Sequence, residues 1–216
     1  MINKLQLQSI INKYYLGVNE AVKWEIENNE LGINFMTPTK DVIGSVSCKD
    51  LELEKNNAIY TKLKISDLNF NLNYALSDPL LIGKVGEVTI PDWVVELDLT
   101  QEDIDNLIKA KSALSGIDNM LVTTTTNLDN EDVVEFVFGD ESGHNNKITY
   151  QVKGKITEQD IKLPFNSDIF KTILHANKDM GGGKLYLSSM GLIQLEFELE
   201  NIFSRYFIVR KAETEF

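Results

Sequence analysis

The order of apolar and polar positions divides this chain into three short helices and a long series of strands. The division is clearest in residues 163–211. There Ile169, Phe170, Ile173 and Leu174 recur at three-and-four spacing and so share one face of a helix. Asn166 or Ser167 can cap its start by accepting an orphan backbone N–H, and Asp168 puts negative charge where the helix dipole favours it. Lys171, His175 and Lys178 take the opposite face, and Gly181 offers a positive φ just past the end. Beyond the glycines the period falls to two. Ile193, Leu195, Phe197 and Leu199 alternate with Gln194, Glu196, Glu198 and Glu200, which describes a half-buried antiparallel strand with an acidic outer face.

The same two periods organise the rest. Residues 4–16 read as a helix with Leu7, Ile10, Ile11 and Tyr14 on its apolar face, Lys13 among the surface positions, and Gly17 at its end. Strands are expected at 21–27, 31–36 and 41–48, separated by turn-forming residues. Residues 59–76 alternate with period two about Ser66-Asp67 and predict a hairpin. After a strand at 94–99, Thr100 caps a second helix with Asp103 at the capping-box position and Ile104, Leu107 and Ile108 inward. Strands follow at 119–126, 132–138 and 147–155, and a further one leads to Phe165. Helix and meander thus occur twice, which predicts two related α+β units: 1–90, a connector at 91–94, and 95–216.

Composition adds limits. The 216 residues are 43% hydrophobic and 25% charged, ordinary for a globular chain. No apolar run approaches the roughly 18 residues of a membrane helix, so no membrane partner is expected. The start has no signal-peptide layout, and the single cysteine, Cys48, can form no internal disulfide, which fits a reducing cytosol. Net charge is −12. That excludes a protein gripping nucleic acid with its whole surface, but not one that surrounds it with a positive lining.

Three segments carry a family resemblance: ELDLTQEDIDNLIKAKSALSGID, FNSDIFKTILHANKDMGGGKLYL and LEFELENIFSRYFIVRK. Together they resemble DNA polymerase sliding clamps, which are PCNA-like, and most closely the trimeric clamp of T4-like tailed phages. The resemblance implies an α+β, two-domain clamp subunit with antiparallel sheets outside and helices packed on one face. It implies a homotrimer around double-stranded DNA, placed on it by a clamp loader, tethering the replicative DNA polymerase in the cytoplasm of an infected bacterial host cell. No enzymatic activity, cofactor or metal is implied. Lys109, Lys111, Lys171, Lys178, Lys4 and Lys13 would face DNA phosphates without reading bases. A partner peptide would dock between the connector residues Ile90, Pro91, Trp93 and Val94 and the final-strand residues Phe207 and Val209. One departure stands out: 59–76 reads as strands where the first domain's second helix belongs, and Lys62 and Lys64 would then supply charge in its place.

Two other classes compete. Asp140, Glu141 and His144 share a loop and would serve a metal-dependent phosphoesterase, although the acids lie without a convergent pocket signature. A phage structural or adaptor protein assembling through its sheets is the blander reading. The run MGGGKL lacks phosphate-loop spacing and follows its helix instead of preceding it, so it reads as a helix terminator.

Overall fold

The computed structural model describes residues 4–20, 22–50, 62–67, 70–75, 85, 92–114, 116–139 and 146–211. The chain opens with helix α1 (Lys4–Tyr15), which ends as Leu16 and Gly17 take positive φ of 44° and 78°. An antiparallel meander follows: β1 (Lys23–Glu27), β2 (Glu30–Met36) and β3 (Val42–Cys48). Strands β4 (Lys62–Asp67) and β5 (Phe70–Ala75) pair antiparallel with Ile65 opposite Leu72, so the period-two reading of this stretch describes its backbone.

The second half begins with β6 (Val95–Thr100) and α2 (Gln101–Ala113). The Thr100 hydroxyl accepts the Asp103 N–H at 3.1 Å while the Asp103 carboxylate accepts the Thr100 N–H at 2.8 Å, a complete capping box. A second meander, β7 (Asn119–Thr126), β8 (Asp132–Gly139) and β9 (Lys147–Lys153), repeats the helix-then-three-strands order of the first half. After β10 (Lys155–Ile156) and β11 (Lys162–Asn166) comes α3 (Ser167–Ala176), capped by the Asn166 side chain, which accepts the N–H groups of Asp168 and Ile169. A 3-10 turn at Lys178–Met180 and left-handed Gly181 lead into β12 (Gly182–Ser188), β13 (Leu192–Leu199) and β14 (Ile202–Val209).

Eight strands form one antiparallel sheet in the order β1-β2-β3-β14-β13-β12-β6-β10. The first half's meander therefore joins the second half through a continuous β3–β14 ladder running from Val42↔Ile208 to Cys48↔Ile202. A four-stranded sheet, β11-β7-β8-β9, closes the other side of the second half. The three helices lie side by side with α3 in the middle, against the face of the large sheet that carries Leu185, Leu187, Ile193, Leu195, Phe197, Tyr206 and Ile208. Burying each such side chain contributes about 1.5–3 kcal/mol before conformational entropy is set against it.

A polar network lies inside the core. Tyr206 is fully buried, and its hydroxyl donates to the Lys13 carbonyl at 3.0 Å and accepts from Asn177 Nδ2 at 2.9 Å. Ser204 donates to Asn177 Oδ1 at 2.7 Å, so β14, α1 and the end of α3 share one satisfied network. Burial pushes the Tyr206 phenol well above its ordinary value. Phe35 and Phe197 pack edge-on against its ring, each at 6.2 Å between centroids.

Candidate functional site

The helix layer is the expected nucleic-acid interface, and its lysines divide into two kinds. Lys13 and Lys111 correct the sequence reading, because both are buried. Lys13 follows Ile10 by three residues and Lys111 follows Leu107 by four, so each sits on an apolar stripe and its head must find a partner inside. Lys13 Nζ meets Asp179 Oδ1 at 2.7 Å and Ser9 Oγ at 2.8 Å. Lys111 Nζ meets Asp168 Oδ1 at 2.9 Å, joining the last turn of α2 to the first turn of α3, where both charges suit the helix dipoles. Both ammonium groups are thus taken up by partners within the subunit.

The other kind points outward. Lys109 is exposed on α2 and Lys171 half-exposed on α3, and among the described residues neither has an ion-pair partner. Lys178, in the 3-10 turn, is half-exposed and pairs with Asp105 of α2 at 2.9 Å, which holds the Asp105 carboxyl below its ordinary value. His175 is exposed beside Lys171, and the two line a shallow hollow with Asn12 and Tyr15 of α1. The side chains of Lys4, Lys62 and Lys64 lie outside the described residues. Asp105, Asp168 and Asp179 are each held by a lysine, and among the described side chains of the helix layer Lys109 and Lys171 are the lysines without an ion pair.

The opposite face of the large sheet carries the expected partner groove. Trp93 packs on Tyr186 of β12 with ring centroids 5.8 Å apart. Tyr186 stands opposite Gln194 on β13, Gln194 opposite Phe207 on β14, Phe207 opposite Ile43 on β3, and Ile43 opposite Met36 on β2. The register thus lays an apolar row across five strands, interrupted by Gln194. Val209, two residues beyond Phe207, extends it and is half-exposed. Gln194, expected in solvent, is buried within this row and donates to Glu196 at 2.8 Å. Val94 packs against the edge of the core instead, its backbone N–H donating to the Leu187 carbonyl at 2.9 Å. Ile90 and Pro91 lie outside the described residues.

Tyr186, Ile43 and Met36 escaped the sequence reading. Their signal was an apolar residue in the polar phase of a strand, as in KLYLS, where Tyr186 stands between two core leucines. Asp140, Glu141 and His144 lie outside the described residues. Among the described residues no group of three or more His, Cys, Asp or Glu is placed to hold a metal ion, and no helix is long and apolar enough to cross a membrane. Cys48 is buried in β3, and burial together with Asp50 and Glu30 raises its thiol.

Antiparallel sheets on one side, helices side by side on the other, and a sheet continuous between two halves make up the fold of sliding-clamp subunits. Solved structures that share it include PCNA from Entamoeba histolytica, with a TM-score of 0.70 and 11% identity, covering 95% of this chain and 93% of that one. The PCNA of A. fulgidus, bound to the C-terminal region of FEN-1, matches with a TM-score of 0.74 and 13% identity over 97% of this chain and 96% of its own. The DNA polymerase III subunit beta of Pseudomonas aeruginosa matches at 0.68 and 9% identity, over 98% of this chain and 65% of its own. By sequence, no protein-family model and no curated protein matches the chain.

Proposed function

We propose that this chain is the subunit of a homotrimeric sliding clamp that encircles duplex DNA and tethers a replicative polymerase, without enzymatic activity of its own. The observation that carries the reading is the helix layer. In a chain of net charge −12, Asp105, Asp168 and Asp179 of that layer are each paired with a lysine, and among its described side chains Lys109 and Lys171 stay unpaired and available to phosphates, while Glu102 and Asp103 lie in the first turn of α2. Two free cations per subunit give contact without a grip, so a ring would slide and be retained by topology. The apolar row at Trp93, Tyr186 and Phe207 is the site for a polymerase tail, a reading supported by the FEN-1 region bound to the A. fulgidus PCNA. The three motifs quoted from the sequence favour the T4-like phage type, and with it an ATP-dependent loader and the cytoplasm of an infected bacterium.

Retention on DNA tests this directly. The assembled protein should stay on closed circular DNA at salt concentrations that abolish ordinary phosphate binding, and leave when the circle is cut. Light scattering should give a trimer or a monomer in equilibrium with it. Salt-sensitive retention that ignores linearisation, or a stable dimer, overturns the proposal.

A further inference from the structure

The glycines that end α3 also shape the outer face of the large sheet. Gly182 shares that face with Lys184 and Tyr186, and a Cβ there would come within 2.9 Å of the Leu99 carbonyl oxygen. With no side chain at this point, the sheet carries a hollow of about 530 Å³. Its lining includes the half-exposed rings of Tyr186 and Phe203, the carboxylates of Asp98, Glu196 and Glu198, and one cation, Lys184. These groups lie at the opposite end of the face from Val209.

One corner of the hollow already shows what its lining takes. The Arg205 guanidinium lies 5.2 Å from the centroid of the Phe203 ring and donates through Nε to Glu196 at 2.7 Å. Glu196 is satisfied by this contact and by Gln194. Glu198 is exposed and has no ion-pair partner among the described residues, and Asp98 is 85% exposed with only the Lys184 ammonium, 3.9 Å away. Burial, then the Glu196, Glu96 and Asp98 charges, push the Tyr186 phenol upward against the opposing influence of Lys184, which agrees with a negative local field. The hollow therefore repeats the ring-and-carboxylate setting of Arg205, with Glu198 unpaired among the described residues and Asp98 held only by a long contact to Lys184. Both kinds of wall attract the same ligand: a ring face and a carboxylate each favour a cation on a long aliphatic stem.

We propose that this hollow receives an arginine or lysine side chain of a partner polypeptide whose apolar anchor rests on Trp93 and Phe207. The anchor half rests on the partner-groove reading above; the cation half stands on the hollow alone. Phe203 and Phe207 are four residues apart along β14, about 13 Å. An extended segment running along that strand thus spans the two with its cation about four positions from its anchor. An acidic segment would meet Glu198 and Asp98 with like charge, so the hollow selects the sign of the sequence beside the anchor.

Two fluorescein-labelled peptides test this on the full chain by anisotropy. Both carry a Leu-Phe anchor and a three-residue Ser-Gly-Ser spacer, followed by Arg-Arg in one and Ser-Ser in the other. The Arg-Arg peptide should bind about tenfold tighter at low salt, as two exposed charge contacts and a ring contact allow. That advantage should vanish in the Asp98→Asn, Glu198→Gln variant and shrink in Phe203→Leu, while the Ser-Ser peptide is unaffected. Equal affinity of the two peptides, no binding of either, or an advantage unchanged in the double variant overturns the proposal. If Trp93→Ala leaves both affinities unchanged while the arginine advantage persists, the anchor reading fails and the cation site stands. Clamp function is judged separately, by retention on circular DNA.

Discussion

Lys13 Nζ lies 2.7 Å from Asp179 Oδ1, joining the first helix of the chain to the turn that follows the last one. The ammonium has no exposed surface and the carboxylate is 51% exposed. Breaking a wholly buried pair costs about 3–5 kcal/mol, but solvent reaches this carboxylate, so Asp179→Asn should cost about 1–2 kcal/mol in urea unfolding. Adding Lys13→Met removes the stranded charge and keeps an apolar stem, and should recover most of the loss. A double variant no more stable than the single one would show that the pair does not act as a unit.

The same contact gives stability an acid limb. Burial works to raise the Asp179 carboxyl, but the Lys13 and Ser9 hydrogen bonds outweigh it and leave the group below its ordinary value of 3.8. A depressed carboxyl contributes stability that is fully present above its unfolded value and is lost as pH falls through its folded one. Unfolding free energy should therefore decline below about pH 4. The decline should be shallower in Asp179→Asn, measured by denaturant titration at each pH. Parallel curves for the two proteins would assign the acid limb to other carboxylates.

The lysines of the helix layer should separate by depth. Lys109→Glu with Lys171→Glu should leave the unfolding midpoint within about 0.5 kcal/mol of the parent and weaken DNA association, lowering its salt slope by about 2. Lys111→Glu puts a carboxylate in a position only 5% exposed, against the Asp168 carboxylate, and should destabilise the fold by about 2–3 kcal/mol. DNA binding and thermal melts on the same samples distinguish the two effects. A DNA phenotype for Lys111 without loss of stability would contradict its buried ion pair.

Trp93 packs on Tyr186 at one end of the apolar row, and if a partner docks there an aromatic anchor would carry a large share of the binding energy. Trp93→Ala should weaken an apolar partner peptide at least tenfold, roughly 1.4 kcal/mol, with assembly state and DNA retention unchanged. Titration calorimetry with a polymerase-tail peptide measures it, and undiminished affinity would remove Trp93 from the groove.

Much of this fold follows from period and caps. The Thr100–Asp103 box, the Asn166 cap and left-handed Gly181 stand where the local sequence places them, because each is satisfied within a few residues. The strand pairing of 62–75 also agrees with its alternation. Burial of a lysine was less legible, since its cost depends on a partner 57 or 166 residues away, as for Lys111 with Asp168 and Lys13 with Asp179. Lys13 follows Ile10 by three residues and Lys111 follows Leu107 by four, so spacing sets both on an apolar stripe, yet an amine is ordinarily expected at the surface. The apolar row was half legible for a related reason. Phe207 and Trp93 could be placed near one another, but Tyr186 and Ile43 join them only through cross-strand register, which no single strand reveals.

The β3–β14 ladder has a mechanical result. Seven residue pairs stitch the first meander to the last strand, and the Lys13 contact pins the helices above the same seam. A subunit fastened on both layers behaves as a stiff plate, unable to hinge in its middle without breaking backbone hydrogen bonds. If such plates close into the proposed ring, the gap that admits a duplex must open where one chain meets the next.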